Sequence, residues 1–300
     1  MSSGTQSKII RAVAVLVTLY LFLLSIKLLG HSFKLFGKGF AESIILVTSN
    51  PFAGLVIGIV ATSLVQSSST TTSIVVSMVA AGALNLENAI PIIMGANIGT
   101  TITNTLVSMG HIGNRGEFRR AFSASIVHDF FNVCAVIVFF PLELKFHLIA
   151  RTASVLEEGL AGAGGVKLLN PLKIILDPAI RGLDPIFLAI PFGHMVMMVF
   201  ALLLMFGSLT NLIRTVRSLM ARRMGVVLNE YLFKNDLTSF VLGIGMTALV
   251  QSSSISTSAV IPLAGAGLVT IRQIFPYTLG ANIGTTVTAF LAAMATQHPV

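Results

Sequence analysis

The sequence predicts an all-α polytopic membrane protein made of two inverted repeats, each with a re-entrant or broken-helix hairpin that carries the motif QSSS. Three observations support this fold class: an apolar composition, an internal duplication and two hydroxyl-rich segments in apolar surroundings. Of the 300 residues, 54% are hydrophobic and only 10% are charged, and the mean hydropathy is +0.90. Because soluble domains carry about 25% charged residues, we expect this chain to lie in a lipid bilayer.

Three segments, 12–29, 121–142 and 185–207, have about the apolar length that a membrane-spanning helix needs. The net charge of +8 comes from basic residues that lie mainly in short loops beside apolar segments. This distribution favours orientation in a membrane and argues against nucleic acid as a partner. The single cysteine, Cys134, has no partner for an intramolecular disulfide.

The chain contains an internal duplication. Residues 54–106 align without a gap on residues 239–291, at a constant offset of 185 positions, and 25 of the 53 aligned positions are identical. The identities concentrate in LVQSSS, at 64–69 and 249–254, and in GANIGTT, at 95–101 and 280–286. A repeat of this length is too long for a solenoid and is typical of a transporter built from pseudo-symmetric halves.

The duplication predicts the domain organisation. The first half is residues 1–142, with a QSSS hairpin at about 54–84 and a GANIGTT segment at about 88–110. Residues 143–184 form an external connector. The second half is residues 185–300, with its hairpin at about 239–269 and its GANIGTT segment at about 273–295. Adding the offset of 185 to the span 121–142 gives 306–327, so we expect the second half to lack its last span.

Charges in the loops predict the orientation of the halves. Basic residues exceed acidic ones in 111–120 and 208–236, whereas 143–184 contains five of each. The positive-inside rule places the first two loops and the N-terminus, with Lys8 and Arg11, in the cytoplasm, which makes the repeats inverted. Three lysines near the outer end of the first span count against this orientation: Lys27, Lys34 and Lys38.

The first QSSS motif separates two short apolar arms. Gly54–Val65 would be about 18 Å long as a helix, too short for a hydrocarbon core of about 30 Å, and Thr70–Leu84 is of similar length. One continuous helix with serines packed on a neighbour is the alternative. Successive serines point about 100° apart on a helix, and Gln66 is costly towards lipid. The hairpin is therefore the favoured interpretation.

These segments offer oxygen and N–H groups and almost no charge. Hydroxyl, amide and backbone carbonyl oxygens suit a cation, whereas N–H groups at helix starts suit an oxyanion. The charged side chains of the two repeats are Glu87 and Arg272, and both lie in the turn after the hairpin. An anion would therefore need bound cations, and each ligand would raise the affinity of the other.

The GANIGTT motif adds further candidate ligands. A proline precedes each motif and, with the glycines, loosens the helix and frees carbonyl groups. Close helix packing through Gly95 and Gly99 remains an equal alternative for the glycines. The polar members favour a ligand role: Asn97, Thr100, Thr101, Asn282, Thr285 and Thr286.

Paired QSSS segments, each followed by proline and GANIGTT, closely resemble the sodium-dependent inorganic phosphate cotransporter family, the type II cotransporters and their bacterial relatives. The resemblance covers nearly the whole chain. It implies a secondary active symporter in which sodium drives phosphate, both bound where the two inverted repeats meet. The signature residues that match are Gln66, Ser67, Ser68, Ser69, Gln251, Ser252, Ser253 and Ser254, with Thr72, Ser73, Thr257 and Ser258 as sodium-side ligands.

The residues alone leave other functions open. A sodium-coupled carrier of a dicarboxylate or of sulfate is the main alternative, and a passive channel comes third. A serine hydrolase is disfavoured because the hydroxyl-rich core has no histidine or lysine as base. We expect no enzymatic activity, no cofactor beyond sodium as co-substrate and a location in the plasma or inner membrane, while the oligomeric state stays open. For His128, Asp129 and Asn132, a role in helix packing is slightly favoured over cation binding.

Overall fold

The computed structural model describes residues 3–163, 171–231 and 235–296, and over these residues the fold is all-α, as predicted. The helices of these ranges are, in chain order, α1 (Ser3–Leu35), α2 (Lys38–Thr48), α3 (Pro51–Val65), α4 (Ser68–Ala80), α5 (Leu86–Gly99), α6 (Ile102–Met109), α7 (Arg115–Phe146), α8 (Leu148–Ala163), α9 (Pro171–Leu188), α10 (Gly193–Tyr231), α11 (Asp236–Val250), α12 (Ser253–Ser258), α13 (Ile261–Gly265) and α14 (Ile271–Ala295).

Several segments of the described ranges are long and apolar enough to cross a membrane. They are Val13–Leu35 of α1, Leu86–Met109 of α5 and α6, α7, Gly193–Leu212 of α10, and α14. The pair α2 and α3 bends by 97° and adds a sixth crossing if both helices form one bent span. The three spans predicted from hydropathy lie in α1, α7 and α10.

The third of these spans begins later than predicted, at Gly193 instead of residue 185. Pro185 lies inside α9, and the chain breaks after Leu188. Phe192 adopts a left-handed conformation with φ 58°, and a Cβ on Gly193 would lie 1.8 Å from the carbonyl oxygen of Phe187. The reversal between α9 and α10 therefore depends on the missing side chain of Gly193.

Glycines bring two helix pairs into backbone contact. A Cβ on Gly58 of α3 would lie 2.0 Å from the carbonyl oxygen of Ile92, and one on Gly95 of α5 would lie 2.0 Å from that of Leu55. The pair α11 and α14 repeats this contact, since a Cβ on Gly243 would lie 2.1 Å from the carbonyl oxygen of Tyr277. The packing interpretation of Gly95 and Gly99 is therefore confirmed, since a Cβ on Gly99 would also lie 2.5 Å from the carbonyl oxygen of Ile59. These contacts allow α3 to lie directly on α5, and α11 on α14.

The two halves are interleaved. Helix α4 of the first half contacts α14 of the second, and α13 contacts α7. One apolar cluster contains Ala121 and Ala124 of α7 together with Ile261, Ile274 and Tyr277 of the second half. A larger cluster joins α1, α9 and α10 around buried residues such as Phe22, Ile26 and Met197. The hydroxyl-rich segments lie where the two halves meet.

The segment 143–188 is largely helical in its described part, and polar contacts tie it to α1. Lys27 of α1 forms a salt bridge with Asp177 of α9, and His31 Nε2 lies 2.9 Å from Asp184 Oδ1. Lys27, one of the lysines that counted against the predicted orientation, thus has a carboxylate partner from the connector. Two of the charges used in the orientation argument, those of Lys167 and Lys234, lie outside the described residues.

Candidate functional site

Both QSSS motifs break a helix in the same way. Helix α3 ends at Val65, and Gln66 takes the left-handed conformation φ 57°, ψ 25° before α4 begins at Ser68. Helix α11 ends at Val250, and Gln251 takes φ 57°, ψ 26° before α12 begins at Ser253. A left-handed conformation is strained for a residue with a Cβ and costs about 1–3 kcal/mol. The same strained turn therefore occurs at two positions that correspond in the duplication.

Serine hydroxyls cap the helices that follow these turns. Ser67 Oγ accepts a hydrogen bond of 3.3 Å from Thr70 N, and Ser252 Oγ accepts one of 3.4 Å from Ile255 N. The remaining amides of the first turn of α4 have no acceptor within their own helix. They point towards the break and make the start of α4 electropositive.

The glutamine side chains connect each break to a threonine that follows a GANIGTT motif by two residues and lies in α6 in the first half and in α14 in the second. Gln66 Oε1 accepts a hydrogen bond of 3.4 Å from Thr103 Oγ1, and Gln251 Oε1 accepts one of 2.8 Å from Thr288 Oγ1. Each Nε2 donates to the carbonyl oxygen three residues earlier, that of Ser63 or Ala248. Sequence reasoning missed the two threonines, although both are threonine at the offset of 185.

The two motifs touch each other. Ser69 Oγ of α4 donates a hydrogen bond of 3.2 Å to the backbone carbonyl oxygen of Gln251, and both residues are buried. Ser68, Ser253 and Ser254 are buried as well. Ser73 Oγ donates to Ser69 O of its own helix at 2.8 Å. The single hydroxyl proton of Thr257 has two acceptors within reach, Ser253 O at 2.8 Å and Asn104 Oδ1 at 3.0 Å.

A buried chain of polar side chains runs beside this contact. Thr257 Oγ1 lies 3.0 Å from Asn104 Oδ1, and Asn104 Nδ2 lies 3.1 Å from His128 Nδ1. His128 Nε2 lies 2.8 Å from Asn282 Oδ1, and Asn282 Nδ2 donates to Asn132 Oδ1 at 2.8 Å. The amide donor of Asn104 at Nδ1 and the carbonyl acceptor of Asn282 at Nε2 together assign the imidazole proton to Nε2. His128 and Asn132 thus join α7 to the second half, and Asn104 is a member of the site that sequence reasoning missed.

Other candidates lie apart from this contact. Gln66, Asn97 and Thr286 are exposed, so Asn97 differs from its counterpart Asn282, which belongs to the buried chain. Thr72 and Ser258 are half-buried. The hydroxyl protons of four threonines go to carbonyl groups of their own helical segments, which leaves oxygen lone pairs for a cation: Thr100, Thr101, Thr285 and Thr286.

The arrangement offers neutral oxygens and backbone N–H groups in a buried place between two halves. Among the described residues, the hydrogen-bond partners of His128 are Asn104, Asn132 and Asn282, and none of the motif serines is paired with this imidazole as a nucleophile would be. The chemistry of the site therefore suits reversible binding of small ions.

Comparison with known proteins agrees with this chemistry. Residues 21–168 and 202–300 match the family described as Na+/Pi-cotransporter. The chain is 35% identical over 364 aligned positions to sodium-dependent phosphate transport protein 2A of Mus musculus, a match that covers 97% of this chain and 57% of that protein. It is 33% identical over 378 positions to sodium-dependent phosphate transport protein 2B of Homo sapiens, covering 95% of this chain and 54% of that protein.

The chain thus spans about half the length of the curated relatives that it matches. No solved structure matches it. The family match covers most of both halves, including both QSSS motifs and both GANIGTT motifs, and it agrees with the resemblance found in the sequence. This chain belongs to the Na+/Pi-cotransporter family.

Proposed function

We propose that this protein is a secondary active symporter, which moves inorganic phosphate across a membrane and is driven by the sodium gradient. Membership of the Na+/Pi-cotransporter family supports this function, as do relatives described as sodium-dependent phosphate transport proteins. The observation that carries the proposal is the contact between the two helix breaks, in which Ser69 Oγ meets the carbonyl oxygen of Gln251.

In this proposal both ligands bind between the two QSSS segments. Phosphate accepts hydrogen bonds from serine hydroxyls and from the first-turn amides of α4. Sodium takes glutamine, hydroxyl and freed carbonyl oxygens of the same segments. None of the signature residues is charged, so bound sodium supplies the positive charge that phosphate requires. By linkage, phosphate raises the affinity for sodium by the same factor.

The burial of most of the signature residues supports a closed state. Ser68, Ser69 and Gln251 have little exposed surface, so a phosphate ion reaches them only after the halves separate. Transport in this proposal therefore breaks the Ser69–Gln251 hydrogen bond in each cycle and re-forms it. Movement of one repeat against the other about a fixed site is the general basis of alternating access.

We also infer that the repeats are inverted, that the protein lies in the plasma or inner membrane and that its N-terminus is cytoplasmic. The excess of basic residues in 111–120 and 208–236 supports this orientation, and so does the pairing of Lys27 with Asp177. Labelling of single cysteines placed at His111 and at Thr152, with an impermeant maleimide, tests it. We expect Thr152→Cys to react from outside and His111→Cys to react only after permeabilisation; the reverse pattern would reject the orientation.

The transport function is tested with the purified chain in proteoliposomes. We expect radioactive phosphate to accumulate above its equilibrium level under an inward sodium gradient and to stop when potassium replaces sodium. Accumulation against the gradient separates a symporter from a channel. Competition with excess sulfate or succinate distinguishes a phosphate carrier from a carrier of other oxyanions. In a carrier of those anions the competitor would abolish the uptake of radioactive phosphate. Equal uptake in sodium and potassium would refute the proposal.

A further inference from the structure

An open groove of about 730 Å³ lies between α7 of the first half and the start of α14 of the second. Its size is within the range of about 300–1,000 Å³ that is usual for sites of small molecules. Apart from Ser123 and Arg272 the lining is apolar, and it includes Phe130, Phe131 and Phe275. The ring centroids of Phe131 and Phe275 lie 6.3 Å apart, so these two side chains join the helices within the groove.

The groove is about as long as one leaflet of a bilayer is deep. Its lining on α7 runs from Ser123 to Cys134, which are 11 residues apart and therefore about 16 Å apart along the helix axis. Half of a hydrocarbon core is about 15 Å thick. Phe130, which lies between these two residues, is 69% exposed. The groove therefore has the length and the apolar surface to accommodate a lipid acyl chain that lies beside α7 within one leaflet.

Arg272 brings a positive charge to this apolar lining. Its side chain is exposed, and among the described residues no carboxylate forms a salt bridge with it. It precedes Phe275 by three residues and so lies on the same face of α14. At the offset of 185 its counterpart is Glu87, so the corresponding place in the first half has the opposite charge. An anionic ligand would be attracted to Arg272 and repelled by Glu87.

The starts of α7 and α14 lie on the same side of the membrane. Arg120, near the start of α7, donates two hydrogen bonds to the carbonyl oxygen of Gly265, six residues before α14 begins, from Nε at 2.9 Å and from Nη2 at 2.7 Å. In the orientation proposed above, this side is the cytoplasmic one. The cytoplasmic leaflet contains the anionic lipids that attract basic side chains.

We propose that this groove binds one phospholipid with an anionic headgroup, which pairs with Arg272, while an acyl chain lies along the three phenylalanines. Basic pockets between membrane helices on the cytoplasmic side bind such headgroups in other proteins. A zwitterionic lipid brings its own cation beside its phosphate and therefore gains less from the charge of Arg272. Because α7 and α14 belong to different halves, the bound lipid contacts both and stabilises their arrangement.

The test uses the absence of tryptophan from the sequence, because Phe130→Trp then introduces a single fluorophore at the groove. The full chain is reconstituted in phosphatidylcholine vesicles that contain increasing fractions of phosphatidylglycerol or phosphatidylcholine with brominated acyl chains, which quench a tryptophan in contact with them. We expect phosphatidylglycerol to be preferred about fivefold, the equivalent of about 1 kcal/mol for one basic residue near the membrane surface. Phe139→Trp is the matched control, since Phe139 is exposed on α7 outside the groove, and we expect it to show no preference.

Substitutions of arginine identify the charge that is responsible. In the Phe130→Trp protein, Arg272→Gln should abolish the preference, whereas Arg119→Gln should preserve it, because Arg119 is exposed near the start of α7 and does not line the groove. A second measurement needs no tryptophan. Phosphatidylglycerol added in detergent should raise the melting temperature of the unmodified protein more than phosphatidylcholine does, and Arg272→Gln should lose this difference.

Three results would overturn the proposal. Equal quenching of Phe130→Trp by both lipids would show that the groove holds ordinary surrounding lipid. A preference that persists in Arg272→Gln would assign the selectivity to other charges. Absence of quenching by either lipid would show that a protein surface, such as a second copy of this chain, covers the groove instead.

Discussion

Ser69 Oγ donates a hydrogen bond of 3.2 Å to the backbone carbonyl oxygen of Gln251. The acceptor is free for this contact because Gln251 follows the last residue of α11 in a left-handed conformation. The donor lies in the first turn of α4. Residues separated by 182 positions in the chain thus meet at the two corresponding breaks of the duplicated halves.

Replacement of Ser69 by alanine should abolish sodium-driven phosphate uptake. It removes both a hydroxyl donor of the site and the contact between the two breaks. We expect uptake to fall by at least about tenfold, the cost of one hydrogen bond to a charged ligand, with normal insertion into the membrane. Ser154→Ala is the control, since Ser154 is exposed on α8. Uptake at the unmodified rate in Ser69→Ala would contradict the site assignment.

The two glutamine–threonine contacts should differ in strength. Thr288→Val removes a buried hydrogen bond of 2.8 Å to Gln251, whereas Thr103→Val removes an exposed one of 3.4 Å to Gln66. Loss of the buried bond should lower the free energy of unfolding by about 1–2 kcal/mol, and loss of the exposed bond by much less. Thermal unfolding of the two variants in detergent compares them directly. Equal losses would show that the two breaks are equally supported.

The glycine contact between α11 and α14 should tolerate no side chain. In Gly243→Ala the new Cβ would lie 2.1 Å from the carbonyl oxygen of Tyr277, whereas Gly245 of the same helix has no heavy atom within 4 Å of such a Cβ. We expect Gly243→Ala to destabilise the protein by several kcal/mol, as overpacking does. Gly245→Ala should be neutral or stabilising by up to about 1 kcal/mol, since alanine favours helix. Melting temperatures measured side by side decide this, and matching values would exclude the close contact.

The imidazole of His128 should be essential to the buried polar chain. His128→Asn is too short to reach both Asn104 and Asn282, which leaves buried amide groups unpaired at a cost of about 1–3 kcal/mol each. The same substitution at His147, exposed with φ 50° after α7, should have little effect because asparagine accepts that conformation. Detergent stability and phosphate uptake report the difference. A His128→Asn protein as stable as the unmodified one would remove His128 from this network.

Hydropathy and the duplication predicted much of the fold for clear physical reasons. Apolar length predicted the spans in α1 and α7, because the hydrocarbon core sets the length of a spanning helix. The constant offset of 185 positions between the duplicated segments predicted that Gln66 and Gln251 occupy equivalent places, and both residues have the same left-handed backbone conformation. The GxxxG spacing of Gly95 and Gly99 gave close helix packing as one of two equal alternatives, and both glycines lie against the backbone of α3.

Other features depend on tertiary contacts that no local pattern contains. Both GANIGTT motifs are identical, yet the first ends in a turn at its own Thr100–Thr101, while α14 continues through the second. The difference lies beyond the motif, where Asn104 contacts His128 and its counterpart at the offset of 185 is Ala289. The start of α10 at Gly193 was missed because Pro185 is accommodated inside α9.

The backbone contacts at Gly58 and Gly243 hold two pairs of helices closely together. Because the carbonyl groups fill the space of the missing side chains, we expect α3 with α5, and α11 with α14, each to move as one rigid unit. The movement between the repeats that we propose would instead change the contact of α4 with the opposite repeat, which includes the hydrogen bond of Ser69 with Gln251. A covalent cross-link between α3 and α5, or between α11 and α14, should therefore leave phosphate transport intact. A cross-link between α4 and the opposite repeat should stop it.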